Sequence, residues 1–182
     1  MNQAGKSIVL IGMMGAGKSS VGKCLRRLTN LRLLDTDEII RLKFRIPISE
    51  IFLKYGEDRF RDAETDALQA LVSDEPVVIV TGGGIVLRKE NRNLLKRLGA
   101  VVWLDGDEET LFKRASQTGN RPLLQRKNPR KAFARMLQAR LPLYARITDI
   151  RVDTSMLTGE EAAIAILSKF KRHCRKSAPA TA

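Results

Sequence analysis

The residues with the clearest chemistry form a glycine-rich segment near the start of the chain. Residues 12–19 read Gly-Met-Met-Gly-Ala-Gly-Lys-Ser and fill the spacing G-x-x-x-x-G-K-[ST]. In such a loop the glycines let successive backbone N–H groups point at phosphate oxygens. The lysine supplies a positive charge for the β- and γ-phosphates, and the hydroxyl of Ser19 suits a magnesium ion. The segment therefore predicts a site for a nucleoside triphosphate.

The neighbouring residues predict the elements that this loop needs. An apolar run at 8–11 leads into the loop as a buried strand, and a helix is expected after it. The positive end of that helix then lies behind the phosphates. A glycine-rich turn with a chance lysine is the alternative, and the flanking strand and helix disfavour it. The residues expected to hold the phosphates are Gly15, Ala16, Gly17, Lys18, Ser19 and Ser20.

Five apolar, β-rich runs predict a five-stranded parallel sheet. Helical patterns lie between most of them, which is typical of a three-layer α/β/α fold with helices on both faces. The runs lie at 8–11, 31–34, 77–80, 100–104 and 150–152. Ligands collect at the carboxyl ends of parallel strands. The polar segments 35–37 and 81–84, which follow the second and third runs, should therefore meet at the phosphate loop.

Two features predict where helices break and begin. Pro47 interrupts an apolar pattern, so the region 37–72 should form about three short helices and serve as a helical substrate-binding insertion. Thr158, with Glu161 three residues later, makes a capping-box pattern. The last helix should therefore start near Gly159 and fade in the basic stretch at 169–176.

The segment 116–130 lacks a steady apolar period and combines glycine and prolines with four basic side chains. We expect a mobile, basic lid here, because phosphoryl transfer needs water excluded and positive charge supplied when the site closes. A solvated connector between two helices is the alternative.

Composition limits the class of protein. The formal net charge is +13, a balance that often indicates nucleic acid or an anionic membrane as a partner. Five of the positive charges lie at 169–176, however, and others are needed as counter-charges for a triphosphate and an anionic substrate. Aromatic residues make up only 5% of the chain and offer no base-stacking platform. We therefore expect no nucleic-acid partner and no membrane partner.

The chain has the length of one ordinary domain. We expect residues 1–176 to form that domain and residues 177–182 to be a disordered tail. No apolar stretch approaches the roughly 20 residues that span a bilayer. The two cysteines, Cys24 and Cys174, lie far apart and lack metal-type or redox-type spacing. A cytoplasmic monomer with two free thiols is the simplest expectation.

Together these motifs resemble the shikimate kinases, small P-loop enzymes related in fold to the nucleoside monophosphate kinases. The resemblance covers nearly the whole chain and depends on the order and spacing of six segments. They are Gly-Met-Met-Gly-Ala-Gly-Lys-Ser at 12–19, Asp-Thr-Asp at 35–37, Phe-Arg-Asp-Ala-Glu at 60–64, Thr-Gly-Gly-Gly at 81–84, Arg-Pro-Leu-Leu at 121–124 and Arg-Leu-Pro-Leu-Tyr at 140–144. The resemblance implies transfer of the γ-phosphate of ATP, with Mg²⁺, to the 3-hydroxyl of shikimate in aromatic amino-acid biosynthesis.

Shikimate carries one carboxylate and three ring hydroxyls, and three residues suit these groups. Arg61 and Arg140 can bind the carboxylate with guanidinium forks, which the resemblance also implies. Asp37 can accept the hydrogen bond of the reacting hydroxyl and orient it. Two alternatives remain: Arg61 can pair with Asp58 or Glu64 on a helix, and Asp37 can cap the helix that follows.

The resemblance assigns further roles near the strand ends. Asp35 is assigned to magnesium beside Ser19; along an extended segment its side chain would point the same way as that of Asp37. The N–H of Gly83 is the expected backbone contact to the substrate, because three glycines let a ring approach the backbone closely.

The lid and the adenine side complete the predicted site. Arg121 is the expected transition-state residue, since an arginine delivered on closure neutralises charge on the transferred phosphoryl group. The expected catalytic residues are therefore Lys18, Asp37 and Arg121. Arg114 resembles the arginine that stacks on adenine, and the loop 152–155 resembles the other wall of that pocket.

Two rival functions remain. Another small-molecule kinase of this fold, such as a gluconate kinase, would share the phosphate loop and lid but would not need the set Asp37, Arg61, Gly83 and Arg140. A non-catalytic nucleotide-binding module would have no use for a lid arginine.

Overall fold

Five parallel strands form the central sheet of the computed structural model, which describes residues 6–72, 75–117 and 127–177. The strands are β1 (Ser7–Ile11), β2 (Arg32–Asp35), β3 (Val77–Val80), β4 (Gly99–Asp105) and β5 (Ile150–Asp153). Their order across the sheet is β2-β3-β1-β4-β5, and each neighbouring pair is parallel. The five predicted strands are confirmed, and their bounds differ from the expected ones by one residue at most.

Helices cover both faces of this sheet. In the described residues they are α1 (Lys18–Thr29), α2 (Thr36–Phe44), α3 (Ile48–Ala70), α4 (Lys89–Leu98), α5 (Glu108–Gln117), α6 (Pro129–Ile147) and α7 (Gly159–Ser177). Across the sheet, the connection from β1 to β2 runs towards the β2 edge, whereas the connections from β3 to β4 and from β4 to β5 run towards the β5 edge. Right-handed connections therefore place α1 on one face and α4, α5 and α6 on the opposite face. Helix α7 packs along α1. The predicted three-layer α/β/α fold is confirmed.

The apolar residues divide into two clusters. The larger cluster contains the residues of β1, β3 and β4 together with the inner faces of their helices. Burial on both faces explains why these strands read as continuous apolar runs rather than alternating ones. The smaller cluster lies between α2 and α3 and contains Ile40, Ile51, Phe60, Ala63 and Ala67. The helices that follow β2 therefore have an apolar cluster of their own.

The region after β2 is broken as its sequence predicts. Pro47 precedes the first residue of α3 and separates α3 from α2. Within α3, Gly56 has a φ of +79°, which kinks the helix into two parts. The expectation of about three short helices is confirmed. Glycine adopts this left-handed conformation without the clash that a Cβ would cause.

Helix α7 begins where the capping box places it but runs further than expected. The Glu161 N–H donates to Thr158 Oγ1 at 3.2 Å, and the Thr158 N–H donates to Glu161 Oε2 at 2.8 Å. The prediction that the helix fades in the basic stretch is wrong, since it continues to Ser177. Phe170 packs against the larger apolar cluster, so the apolar period extends into that stretch. Ser177 therefore belongs to α7 rather than to a disordered tail, and the rest of the predicted tail, 178–182, lies outside the described residues.

No helix in the described ranges is both long enough and apolar enough to cross a membrane.

The capping box gives a test of the last helix. Thr158→Ala should lower the free energy of unfolding by about 1 kcal/mol, because it leaves an N-terminal N–H of α7 without its side-chain acceptor. Thr158→Ser keeps the hydroxyl and should cost much less. Urea denaturation without nucleotide measures both, and equal midpoints for Thr158→Ala and the parent protein would contradict the capping role.

Candidate active site

The phosphate loop joins β1 to α1, and glycine is required at several of its positions. Gly12, Gly15 and Gly17 have φ values of +142°, +86° and +82°. A Cβ at Gly12 would overlap the carbonyl oxygen of Leu104, and a Cβ at Gly15 would overlap that of Leu111. The loop backbone therefore lies directly against β4 and α5, in a conformation that a side chain would disrupt.

Lys18 is the first residue of α1, and its side chain is buried over the loop. Its Nζ donates to the carbonyl oxygens of Gly12 and Met13, at 2.8 and 2.9 Å. Ser19 and Ser20 follow in the first turn of α1 and are exposed. The ammonium group and the amino end of α1 thus face the same loop, as binding of a triphosphate requires.

A pair of glycine substitutions tests this loop. Gly15→Ala should weaken ATP binding by about tenfold or more, because the new methyl group would overlap backbone and force the loop to move. Gly17→Ala also places alanine at a positive φ, but the nearest atom to its methyl group is Val21 Cγ2 at 4.0 Å. Its loss of affinity should be clearly smaller. Calorimetric titration with ATP compares the two, and equal losses would rule out the steric explanation.

Asp35 and Asp37 lie beside each other, but not on one extended segment. Asp35 ends β2 and is the N-cap of α2, with its Oδ1 accepting the N–H of Asp37 at 2.9 Å. Asp37 already belongs to the first turn of α2. The expectation that both side chains point the same way along a strand is therefore wrong, because the helix begins at Thr36. The capping role considered for Asp37 belongs to Asp35.

The carboxyl group of Asp35 is partly shielded from water. Burial raises its pKa, while hydrogen bonds from the amides of Asp37 and Glu38 and the charge of Lys18 act in the opposite direction. The influence of Lys18 places Asp35 beside the phosphate loop. A carboxylate in this position is a hard oxygen donor next to the expected phosphates.

Gly82 lies at the carboxyl end of β3 and meets two carboxylates. A Cβ there would lie 2.7 Å from Asp37 Oδ1 and 3.2 Å from Glu64 Oε1. Its N–H donates to the buried hydroxyl of Thr36 at 3.3 Å. Without a side chain at Gly82, Asp37 from α2 and Glu64 from α3 can reach the same end of β3.

Gly83 and Gly84 meet the two arginines. A Cβ at Gly83 would lie 3.3 Å from the backbone nitrogen of Met14 in the phosphate loop and 3.7 Å from Arg140 Nη1. A Cβ at Gly84 would overlap the guanidinium of Arg61. The three glycines therefore bring the phosphate loop and both arginines to one place, as the positions of the motifs along the strands predict.

Arg61 already has carboxylate partners in the protein. Its Nη1 donates to Glu64 Oε2 at 2.7 Å, and its Nη2 donates to Glu57 Oε1 at 2.9 Å. The alternative of a pair with Glu64 is thus confirmed, and contact with the substrate stays a prediction. Burial raises the pKa of Glu64, and the adjacent Arg61 opposes that rise. The two groups form a buried ion pair whose outer partner, Glu57, is 61% exposed.

Arg140 is held differently. It is buried in α6, and its Nη1 donates to the carbonyl oxygen of Gly83 at 3.3 Å and contacts Met13 Sδ at 3.7 Å. Within the described parts of the chain it forms no ion pair with a carboxylate. A buried guanidinium without a carboxylate partner is suited to an anionic ligand.

Two residues of this cluster, Tyr144 and Glu57, have contacts that the sequence did not predict. Tyr144 is completely buried, and its hydroxyl donates to the carbonyl oxygen of Gly83 at 2.5 Å. Glu57 binds Arg61 in addition to the expected partner Glu64. Helical spacing offered a signal in each case, because Tyr144 follows Arg140 by four residues and both glutamates lie within four residues of Arg61.

The two predicted walls of the adenine pocket are in direct contact. Arg114 of α5 donates to the carbonyl oxygens of Thr154 and Ser155, at 2.9 and 3.1 Å. Arg114 and Thr154 border a cavity of about 250 Å³, which Gly17 and Leu157 also line. The cavity therefore adjoins the phosphate loop, where the base of a bound nucleotide would lie.

The predicted transition-state arginine, Arg121, lies at 118–126, outside the described residues. The same holds for most of the predicted lid, 116–130. Only its two ends are described, as the end of α5 and the start of α6.

A phosphate loop after the first strand of this parallel sheet, beside a cluster of buried arginines and carboxylates, is typical of the P-loop kinases. The family model described as shikimate kinase matches residues 14–171. A shikimate kinase of Thermodesulfovibrio yellowstonii is 45% identical over 167 residues, which make up 92% of this chain and 96% of that protein. The chain belongs to the shikimate kinase family.

Solved structures agree with this assignment. A shikimate kinase from Acinetobacter baumannii in complex with shikimate aligns with a TM-score of 0.88 at 37% identity, covering 92% of this chain and 94% of that one. A gluconokinase from Sinorhizobium meliloti aligns with a TM-score of 0.64 at 24% identity over 96% and 97% of the two chains, which shows a common fold only. The predicted fold, similar to the nucleoside monophosphate kinases, is confirmed.

Proposed function

We propose that this protein transfers the γ-phosphate of ATP to the 3-hydroxyl of shikimate. The observation that carries the proposal is the cluster at Gly82–Gly84, where two carboxylates and two buried guanidinium groups meet the phosphate loop. A cyclic alcohol with a carboxylate needs these groups, since the carboxylate requires guanidinium forks and the reacting hydroxyl requires an acceptor. The relative from Acinetobacter baumannii was solved in complex with shikimate.

The nucleotide side of the reaction depends on α1 and its loop. Backbone N–H groups of residues 15–20 would bind the phosphates, with the positive end of α1 behind them. The ammonium of Lys18, held over the loop, would neutralise charge on the β- and γ-phosphates. Arg114 would form one wall of the adenine pocket.

On the acceptor side, Asp37 would accept the hydrogen bond of the 3-hydroxyl, direct its oxygen at the γ-phosphorus and take the proton late in the transfer. Arg140 would bind the carboxylate, because it has no carboxylate partner among the described residues. Arg61 would contribute once the substrate displaces the exposed Glu57, while the inner pair with Glu64 keeps the guanidinium in place. Gly83 would supply a backbone N–H.

The residues beside the loop fit Mg²⁺. Asp35 offers a carboxylate, and because burial raises the pKa of this group, a nearby cation would favour its ionised form. Ser19 offers an exposed hydroxyl in the first turn of α1. We assign both residues to the metal, with Asp35 acting through water. Bound by these residues, Mg²⁺ would supply positive charge against the charge that develops on the transferred phosphoryl group.

The remaining expectations stay predictions. They are the transition-state role of Arg121, the lid at 116–130, the single domain over 1–176 with a substrate-binding insertion at 37–72, and a cytoplasmic monomer without nucleic-acid or membrane partner.

A coupled assay of ADP release tests the function directly. Purified protein with MgATP should release ADP when shikimate is present and should show little release with gluconate or without an acceptor. Lys18→Met should abolish this turnover, because it removes the charge beside the phosphates. Absence of shikimate-dependent release from the parent protein would refute the proposal, and release with gluconate would favour the rival kinase.

The two arginines should respond differently to replacement by lysine. Arg140→Lys should raise the KM for shikimate by about tenfold or more while leaving the affinity for ATP nearly unchanged, because lysine cannot form a bidentate pair with a carboxylate. Arg61→Lys should raise the same KM and also lower the melting temperature, because the buried Glu64 loses part of its pairing. Exposed Arg135 lies on α6 as well, so Arg135→Lys is the matched control. A large loss of ATP affinity in Arg140→Lys would contradict its assigned role.

A further inference from the structure

The carbonyl oxygen of Gly83 accepts two hydrogen bonds from one helix. The hydroxyl of Tyr144 donates to it at 2.5 Å, and Nη1 of Arg140 donates to it at 3.3 Å. The two donors are four residues apart in α6 and therefore lie on the same face of the helix. One oxygen atom thus joins the turn after β3 to both side chains.

Tyr144 is held firmly enough to fix this oxygen. Its side chain is completely buried, and its ring stacks on that of Trp103 with centroids 5.9 Å apart. The guanidinium of Arg151 lies over the Trp103 ring, 4.8 Å from its centroid, and forms an ion pair with Asp105. Burial raises the pKa of Tyr144 to about 12, so its hydroxyl remains a donor throughout the neutral range. The donor is therefore anchored in the main core rather than in the helices after β2.

The turn after β3 needs such an anchor. The oxygen of Gly83 and the N–H of Gly84 belong to one planar peptide, so fixing the oxygen also fixes the direction of the N–H. Glycine has the widest range of backbone conformations, and two adjacent glycines provide no side chains to restrict that peptide. Gly84 in turn lies against the guanidinium of Arg61. The same peptide therefore borders both arginines of the acceptor pocket.

We propose that Tyr144 is a positioning residue for the acceptor. Its hydroxyl holds the peptide between Gly83 and Gly84, and through the shared oxygen it sets the position of the Arg140 guanidinium. This role rests on the proposed function, because it assumes that the acceptor binds at these glycines. The hydroxyl of Tyr144 acts at Gly83 and its ring packs on Trp103, so its influence should fall on acceptor binding.

Tyr144→Phe is the test, since it removes the hydroxyl and keeps the ring against Trp103. The KM and the dissociation constant for shikimate should rise about fivefold to tenfold, the usual consequence of losing one buried hydrogen bond. The kcat should change by less than about twofold, and the affinity for ATP should stay at the parental value, because neither depends on the Gly83 oxygen.

Thr148→Val is the matched control for a general loosening of α6. It removes the hydrogen bond from Thr148 Oγ1 to the backbone oxygen of Tyr144, at 2.6 Å, without touching Gly83. Trp103 is the single tryptophan, so its emission reports the packing of the Tyr144 ring in each variant. Both variants are assayed at a temperature where each is fully folded. If Thr148→Val raised the shikimate KM as much as Tyr144→Phe does, the effect would come from loosening of α6, and the inference would be overturned.

A double variant tests the coupling between Tyr144 and Arg140, which share the Gly83 oxygen and also interact directly. Tyr144→Phe should reduce the affinity for shikimate less in an Arg140→Lys background than in the parent protein. The reason is that the guanidinium which Tyr144 positions is already absent from that background. Strict additivity of the two losses would show that Tyr144 does not position Arg140 and would contradict the inference. The failures are distinguishable: no shikimate turnover by the parent protein refutes the function, whereas normal parental turnover with an unaffected Tyr144→Phe variant refutes only the positioning role.

Discussion

The absence of side chains at three consecutive positions is the constraint on which the site depends. Gly82, Gly83 and Gly84 end the turn after β3, next to the phosphate loop, and each leaves room for a different charged group. Asp37 and Glu64 occupy the space at Gly82, backbone of the phosphate loop lies closest at Gly83 with Arg140 beside it, and Arg61 occupies the space at Gly84. A methyl group at Gly84 alone would displace a buried guanidinium. The glycines therefore let charges from α2, α3 and α6 lie within a few ångströms of one another.

Such a concentration of buried charge is costly unless each group has a partner. Arg61 and Glu64 satisfy one another, and the pair costs less than either charge alone. Arg140 is stabilised by neutral acceptors, chiefly the carbonyl oxygen of Gly83. Arg61 thus has two directly bonded carboxylates, whereas Arg140 feels Glu64 only at longer range and forms no direct ion pair within the described residues. An anionic acceptor would therefore have more to gain at Arg140, where it could form the direct pair.

The two halves of the site are supported by different parts of the molecule. The phosphate loop lies between β1 and α1, in the larger apolar cluster, and its glycines pack directly against β4 and α5. The carboxylates of the proposed acceptor site come from α2 and α3, which have a smaller apolar cluster of their own. Tyr144 connects the two halves, because it is anchored on Trp103 in the main sheet and donates to the turn that borders the proposed acceptor site.

The sequence alone determined the features that depend on local chemistry. The phosphate loop has a defined spacing, the strands are continuous apolar runs, and the capping box marks the first turn of α7; each needs only neighbouring residues. Tertiary structure decided the rest. The start of α2 made Asp35 a cap, packing of Phe170 carried α7 through its basic stretch, and the meeting of α6 with the turn after β3 gave Tyr144 its partner. These outcomes depend on contacts between residues far apart in the chain, which local pattern does not encode.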